Sequence, residues 1–126
     1  MVIDMKAIKR GAIVYVDLGV YPQSNVQSGI RPCVVVSNNK SNKCSKVLSV
    51  CPCTAKTSKK NIPTHIGLKK SQVNGRFEKD SIVLVEQITT VDKRKLISVM
   101  GYISSESGVM DMIDEALRLQ FAIGEI

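Results

Sequence analysis

The sequence predicts a mainly β chain ending in one amphipathic helix, an α+β fold built as a compact β-barrel with helical additions. Short runs rich in Val, Ile, Leu and Thr recur through residue 103, separated by polar or basic turns. Only the stretch after them shows apolar side chains at helical spacing. A length of 126 residues, 44% of them hydrophobic, suits a single domain over 1–126 with one core.

The elements follow in order. Residues 12–18, Ala-Ile-Val-Tyr-Val-Asp-Leu, read as the first strand after a turn at 9–11. Residues 21–29 are a polar loop of Ser, Asn, Gln and Gly. Residues 33–37 read as a buried strand from their β-branched content, 38–45 as a polar turn, and 46–54 as a third strand. A basic loop covers 55–61 and a short strand 63–68. Residues 81–88 form the most apolar strand, 91–95 a helical turn, and 96–103 the strand that closes the sheet. Ser104 or Ser105 is the expected N-cap of the helix, with Glu106 in its first turn. Val109, Ile113, Ala116, Leu117 and Phe121 fall on one helical face, which is expected to pack on the sheet.

Composition excludes some classes. No apolar run approaches the ~20 residues that cross a bilayer. Asp4 stands where a signal peptide carries basic residues, so a cytoplasmic protein with no membrane partner is expected. The net charge of +7 is unevenly spread: residues 40–79 hold ten Lys or Arg and one acid, Glu78. Such a stretch attracts a polyanion through counterion release, and it is also what a solvated lysine-rich surface looks like. Cys33, Cys44, Cys51 and Cys53 form no C-x-x-C pair, and Cys51-Pro52-Cys53 is too tight for a zinc knuckle. They read as free structural thiols.

Several segments then resemble one family. Residues 9–18, Lys-Arg-Gly-Ala-Ile-Val-Tyr-Val-Asp-Leu, are similar to the opening strand of MazF/PemK-type toxins. Gly29-Ile30-Arg31-Pro32-Cys33-Val34-Val35 resembles the family's G-x-R-P-x-x-V segment, and Pro52-Cys53-Thr54 the strand end that carries its threonine. Pro63-Thr64-His65, Glu86-Gln87-Ile88 and the helix around Asp114-Glu115-Ala116-Leu117 follow in order, so the resemblance runs from about residue 9 to 121. Ala12 and Thr89 depart from the pattern, which bears on the RNA sequence recognised. The likeness is strongest to toxins of Gram-positive bacteria. It implies an SH3-like β-barrel acting as a homodimer. It also implies a sequence-specific endoribonuclease that cuts single-stranded mRNA without metal or cofactor, held in check by a cognate acidic, MazE-like antitoxin.

The resemblance makes Arg31 and Thr54 the catalytic pair. It gives Arg31 acid–base work and phosphate binding, and Thr54 transition-state stabilisation. The chemistry of the residues agrees best with the electrostatic part. Arg31 offers a planar fork matched to a phosphate, Pro32 biases it to extended backbone, and Thr54 supplies a neutral donor. A guanidinium is a poor general base. His65, the only histidine, is the obvious base on composition alone, yet the resemblance gives it a binding or orienting place. Gln87 can read a base edge or make a sheet hydrogen bond. Ser24 can meet RNA as its loop closes. Lys56, Lys59 and Lys60 can track a backbone or simply be solvated. Tyr21 is the best placed aromatic for stacking, with Tyr15 read as a strand residue. Two alternatives carry different functions: a non-enzymatic toxin of this fold that binds a topoisomerase, and a non-catalytic nucleic-acid-binding barrel. The first relies on a C-terminal tryptophan, and this chain has none.

Overall fold

The computed structural model describes residues 8–55 and 62–125. Their strands are β1 (Ala12–Asp17), β2 (Ile30–Val35), β3 (Val47–Thr54), β4 (His65–Leu68), β5 (Val73–Gly75), β6 (Ser81–Leu84), β7 (Thr89–Asp92) and β8 (Leu96–Ile103). Two helices accompany them, α1 (Asn39–Cys44) and α2 (Val109–Phe121). The strands form one antiparallel sheet in the order β4-β6-β3-β2-β1-β8-β5, with β7 also on β3. Among the described residues no helix is long and apolar enough to cross a membrane.

Both faces of the central strands are buried, which is why β2 and β3 read as continuous apolar runs rather than alternating ones. Ile13, Val34, Cys51, Cys53 and Val83 face α2, whose Val109, Ile113 and Ala116 complete that core. Val14, Val16, Cys33, Val35 and Val50 face the other way, covered by Ile8, Leu18, Leu48, Val91 and Leu96. Arg10 ties the helix to the sheet, donating from Nε to the Val36 carbonyl at 2.9 Å and pairing with Asp114.

The sheet curls into a half-barrel because its ladders are interrupted. The β1/β8 register slips between Ile13 and Val14 and again between Tyr15 and Val16. The unpaired residues, Met100 and Ile97, raise the local twist. At the outer edge β5 meets β8 through two glycines, Gly75 opposite Gly101. Gly75 has φ +141, and a Cβ there would lie 2.4 Å from the Met100 carbonyl oxygen, so only glycine fits.

Five expectations need correction. The polar segment 38–45 holds a helix, Asn39–Cys44, because the Asn38 side chain accepts the Ser41 N–H at 2.8 Å and caps it. The run 81–88 is not one strand: β6 stops at Leu84, a 3-10 turn covers Val85–Gln87, and β7 resumes at Thr89. Against β3, this places three more residues on that side than the partner strand has, and they leave the ladder. The helical turn expected over 91–95 is confined to Lys93–Lys95. In α2, Ser104 caps a separate 3-10 turn at Ser105–Ser107, and the helix starts after Gly108. Phe121 is 55% exposed, since the last turn runs past the edge of the sheet core.

Replacing Gly75 by Ala is expected to cost about 3 kcal/mol, combining a backbone angle closed to L-residues with a clash against backbone that cannot yield. Urea unfolding of the variant against the parent checks this, and a loss under about 1 kcal/mol would contradict the strand contact described here.

Candidate active site

Arg31 is the second residue of β2, at the end of a pinned loop. The loop's root is closed by Leu18 N–H to the Gly29 carbonyl at 2.9 Å, Gly29 N–H to the Gly19 carbonyl at 2.7 Å and Gly19 N–H to Asp17 Oδ1 at 2.9 Å. Arg31 Nε donates to the Ser28 carbonyl at 3.0 Å, which sets the plane of its guanidinium and leaves the terminal amino groups for a ligand. On β3, Val50, Cys51 and Pro52 oppose Val35, Val34 and Cys33 of β2. Continuing that register by two residues sets Thr54 across from Arg31. Thr54 pairs with Ile82 of β6 on its other side and is only 2% exposed, while Arg31 is half-buried.

A groove of about 630 Å³ opens beside this pair. Its floor is a cross-strand row, Pro32, Tyr15 and Ser98, in register over β2, β1 and β8. Arg31, Cys53 and Ala55 border it on one side, so the strand end bearing Thr54 runs along its edge. A smaller hollow of about 380 Å³ lies between the polar loop and β7, lined by Tyr21, Gln27, Asp92 and Lys95 among others. There the Arg94 guanidinium hydrogen-bonds Asp92 and holds its carboxyl down at about 2.

Of the remaining candidates among the described residues, only Tyr21 lines either opening; His65, Gln87 and Ser24 line neither. His65 Nε2 lies 2.7 Å from Glu86 Oε1, and Thr64 Oγ1 donates to Glu86 Oε2 at 2.9 Å. Glu86 therefore anchors the only histidine, a role that its place in a motif did not reveal. Gln87 accepts the Gln27 N–H at 2.7 Å, binding the turn 85–87 to the loop before Arg31 rather than to the sheet. Ser24 accepts the Val26 N–H at 3.1 Å in a local turn. Tyr21 lines the smaller hollow and is 52% exposed. Lys56, Lys59 and Lys60 lie outside the described residues. Tyr15 is a strand residue as expected; that it also floors the groove could not be read from sequence, because its neighbours come from two other strands.

Cys33, Cys51 and Cys53 are buried and free, and Cys44 is exposed on α1. Burial pushes the Cys33 and Cys51 thiols up to about 12 and Cys53 well above its ordinary value. Among the described residues, no three His, Cys, Asp or Glu side chains are grouped to hold a metal ion.

The family of PemK-like, MazF-like toxins of type II toxin–antitoxin systems matches residues 9–121. The chain belongs to this toxin family. It is 35% identical over 116 residues to Endoribonuclease EndoA of Bacillus subtilis (strain 168), covering 92% of this chain and 96% of that protein. Among solved structures, a mycobacterial endoribonuclease bound to its cognate antitoxin superposes with a TM-score of 0.73 at 23% identity, over 95% of this chain and 100% of that one. MazF in a MazE–MazF complex from Deinococcus radiodurans superposes at 0.70 with 18% identity, over 93% and 97%. At these identities the structural matches speak for the toxin fold, and they cover the half-barrel and α2 together.

Two outcomes follow from the geometry. At pH 8 a thiol reagent should modify one cysteine in the folded protein, Cys44, and four after unfolding. A raised folded-state pKa favours the neutral thiol, so this contribution to stability is complete below about pH 9 and fades as the pH climbs towards 12. Glu86→Ala removes both hydrogen bonds on a partly buried pair and should cost about 2 kcal/mol by urea unfolding. A double-mutant cycle with His65→Ala should recover part of that as coupling; strict additivity would mean that the 2.7 Å contact contributes nothing.

Proposed function

We propose that this toxin is a sequence-specific endoribonuclease that cuts single-stranded mRNA along the groove at Arg31 and Thr54. The reaction is attack of the substrate's own 2′-hydroxyl oxygen on the adjacent phosphorus. The O2′–P bond forms, the P–O5′ bond breaks, one proton leaves the 2′ oxygen and one reaches the 5′ oxygen. The products carry 2′,3′-cyclic phosphate and 5′-hydroxyl ends. Such a step requires stabilisation of a dianionic transition state, and no metal ion or cofactor is required of the residues assigned here.

The observation that supports this reading is the pairing of β2 with β3, whose register, continued two residues beyond Cys33 and Pro52, faces Arg31 with Thr54 next to the groove that Arg31 lines. With Nε held by Ser28, the Arg31 fork is pre-oriented towards phosphate oxygens, and a planar fork grips two of them at once. Thr54 adds a neutral donor in an enclosed place where a hydrogen bond to developing charge counts for more than in water. His65 is an orienting group held by Glu86. Tyr21, Ser24, Gln87 and the lysines Lys56, Lys59 and Lys60 meet RNA around the catalytic pair.

The toxin works in the cytoplasm as a homodimer. Exposed apolar side chains, among them Ile97, Leu119, Phe121 and Ile123, give it surface to bury against a second copy. Its partners are single-stranded RNA and a cognate acidic, MazE-like antitoxin that competes for the basic groove, and the competition weakens with salt.

Purified protein incubated with a long RNA, followed by mapping of the new ends, tests the assignment. Cleavage should survive EDTA. Arg31→Ala should nearly abolish it in a folded protein, because the phosphate grip and any proton transfer are lost together. Thr54→Ala removes one donor, a loss of roughly 3 kcal/mol in barrier or on the order of a hundredfold in rate. His65→Ala should be milder than either. Near-parental cleavage by Arg31→Ala would refute the assignment.

A further inference from the structure

The groove beside Arg31 has a second wall, and its charges are unexplained by the fold. Residues 76–79, Arg-Phe-Glu-Lys, cross its far side, and all four line it. This segment is held rigidly. Arg76 N–H donates to the Met100 carbonyl at 2.7 Å, directly after the Gly75–Gly101 contact. Phe77 is 7% exposed and belongs to the core under α2. The Ser81 hydroxyl donates to the Lys79 carbonyl at 2.9 Å, and Asp80 Oδ1 accepts the Lys70 N–H at 2.8 Å.

Arg76 and Lys79 are nevertheless exposed, and among the described residues neither side chain has a carboxylate partner. With Arg31 they put three cations around one opening, against the single carboxylate of Glu78. Mutual repulsion of like charges in a groove disfavours this arrangement in the free protein, and a polyanion entering it reverses the sign. Between the two charged sides lies the Pro32–Tyr15–Ser98 floor. Tyr15 stands between the two slips of the β1/β8 ladder, so its ring is presented on the most twisted part of the sheet.

We propose that Arg76 and Lys79 bind RNA backbone phosphates flanking the one held by Arg31, so that the strand crosses the groove over Tyr15. This rests on the reading of the groove as the RNA site, and it names the wall that holds the substrate without touching the reacting atoms. Arg76 and Lys79 are thus positioning residues for the substrate.

The probe is a fluorescent single-stranded 2′-O-methyl oligonucleotide, which lacks the attacking hydroxyl and reports binding by anisotropy without being cut. The doubly substituted Arg76→Ala, Lys79→Ala protein is compared with the parent. A Lys40→Ala, Lys43→Ala protein loses the same charge from α1, away from the groove. For single strands each phosphate contact adds about 0.7 to the slope of log affinity against log salt. The groove variant should therefore lose about 1.4 of slope, which makes the parent's affinity fall roughly sevenfold more between 50 and 200 mM salt. The α1 variant should keep the parental slope. On the unmodified RNA the groove variant should show a raised KM with kcat within about threefold. An unchanged slope, or equal losses in both variants, overturns the proposal by reducing the effect to net charge alone. If the parent binds the probe with this dependence on Arg76 and Lys79 but cuts no RNA, the wall stands and the nuclease reading falls. If the parent does not bind the probe, both fall.

Discussion

The three-residue insertion between β6 and β7 is the constraint on which the rest of the site depends. β3 is long enough to serve both strands along one edge, and a plain hairpin partner would have run straight past it. Instead Val85–Gln87 leave the ladder as a 3-10 turn. Val85 drops into the core under α2, and its N–H goes to the Thr64 carbonyl at 3.0 Å. That frees the next two side chains to point at other elements. Glu86 takes Thr64 and His65 at the start of β4, and Gln87 takes the loop that leads into β2. One local break in pairing therefore connects the start of β4 with the loop that leads into β2.

Much of the architecture was legible because burial on both faces writes itself into composition. Runs such as Cys33–Val36 and 96–103 announce strands through β-branched content alone. What failed was the reading of interruptions. Residues 82–85 are a continuous apolar run, and nothing in apolar content distinguishes a buried strand from a buried turn. The segment 38–45 looked like a turn because Asn and Ser compete for the backbone. Here that competition caps a helix, while Asn42 turns inward to hold the Ser37 carbonyl at 2.8 Å. β5 has only three residues, too few for any period to register.

The candidate site was legible to a different degree. Arg31 and Thr54 were visible as motif residues. Their adjacency comes from the pairing of β2 with β3, which no spacing in one strand can report. The place of Tyr15 in the groove floor escaped for the same reason. Charge misled in another way. The basic stretch 40–79 reads as one patch in sequence, yet α1, with Lys40 and Lys43, precedes β3, and Thr54 ends it. An eight-residue strand spans roughly 23 Å at ~3.3 Å per step, more than two Debye lengths in physiological salt. The lysines of α1 therefore contribute little field at the groove beside Arg31, and the cations that count there are those the fold carries to it.

Arg31 shows why the supporting shell matters as much as the residue. A free arginine has several rotatable bonds and gives up much of that freedom when it grips a phosphate. Here Pro32 restricts the backbone, the loop root is closed by three hydrogen bonds, and Nε is already committed to Ser28. The ordering cost falls in folding, before substrate arrives, so more of the binding energy remains for the transition state. The same geometry separates arginine from lysine at this position. An ammonium could match the charge, but it has no second nitrogen to anchor on the Ser28 carbonyl while the others face the phosphate. In the proposed reaction the fork is thus used twice, inward to fix its own direction and outward to hold the substrate, and the loop bound by Gln87 supports both uses at once.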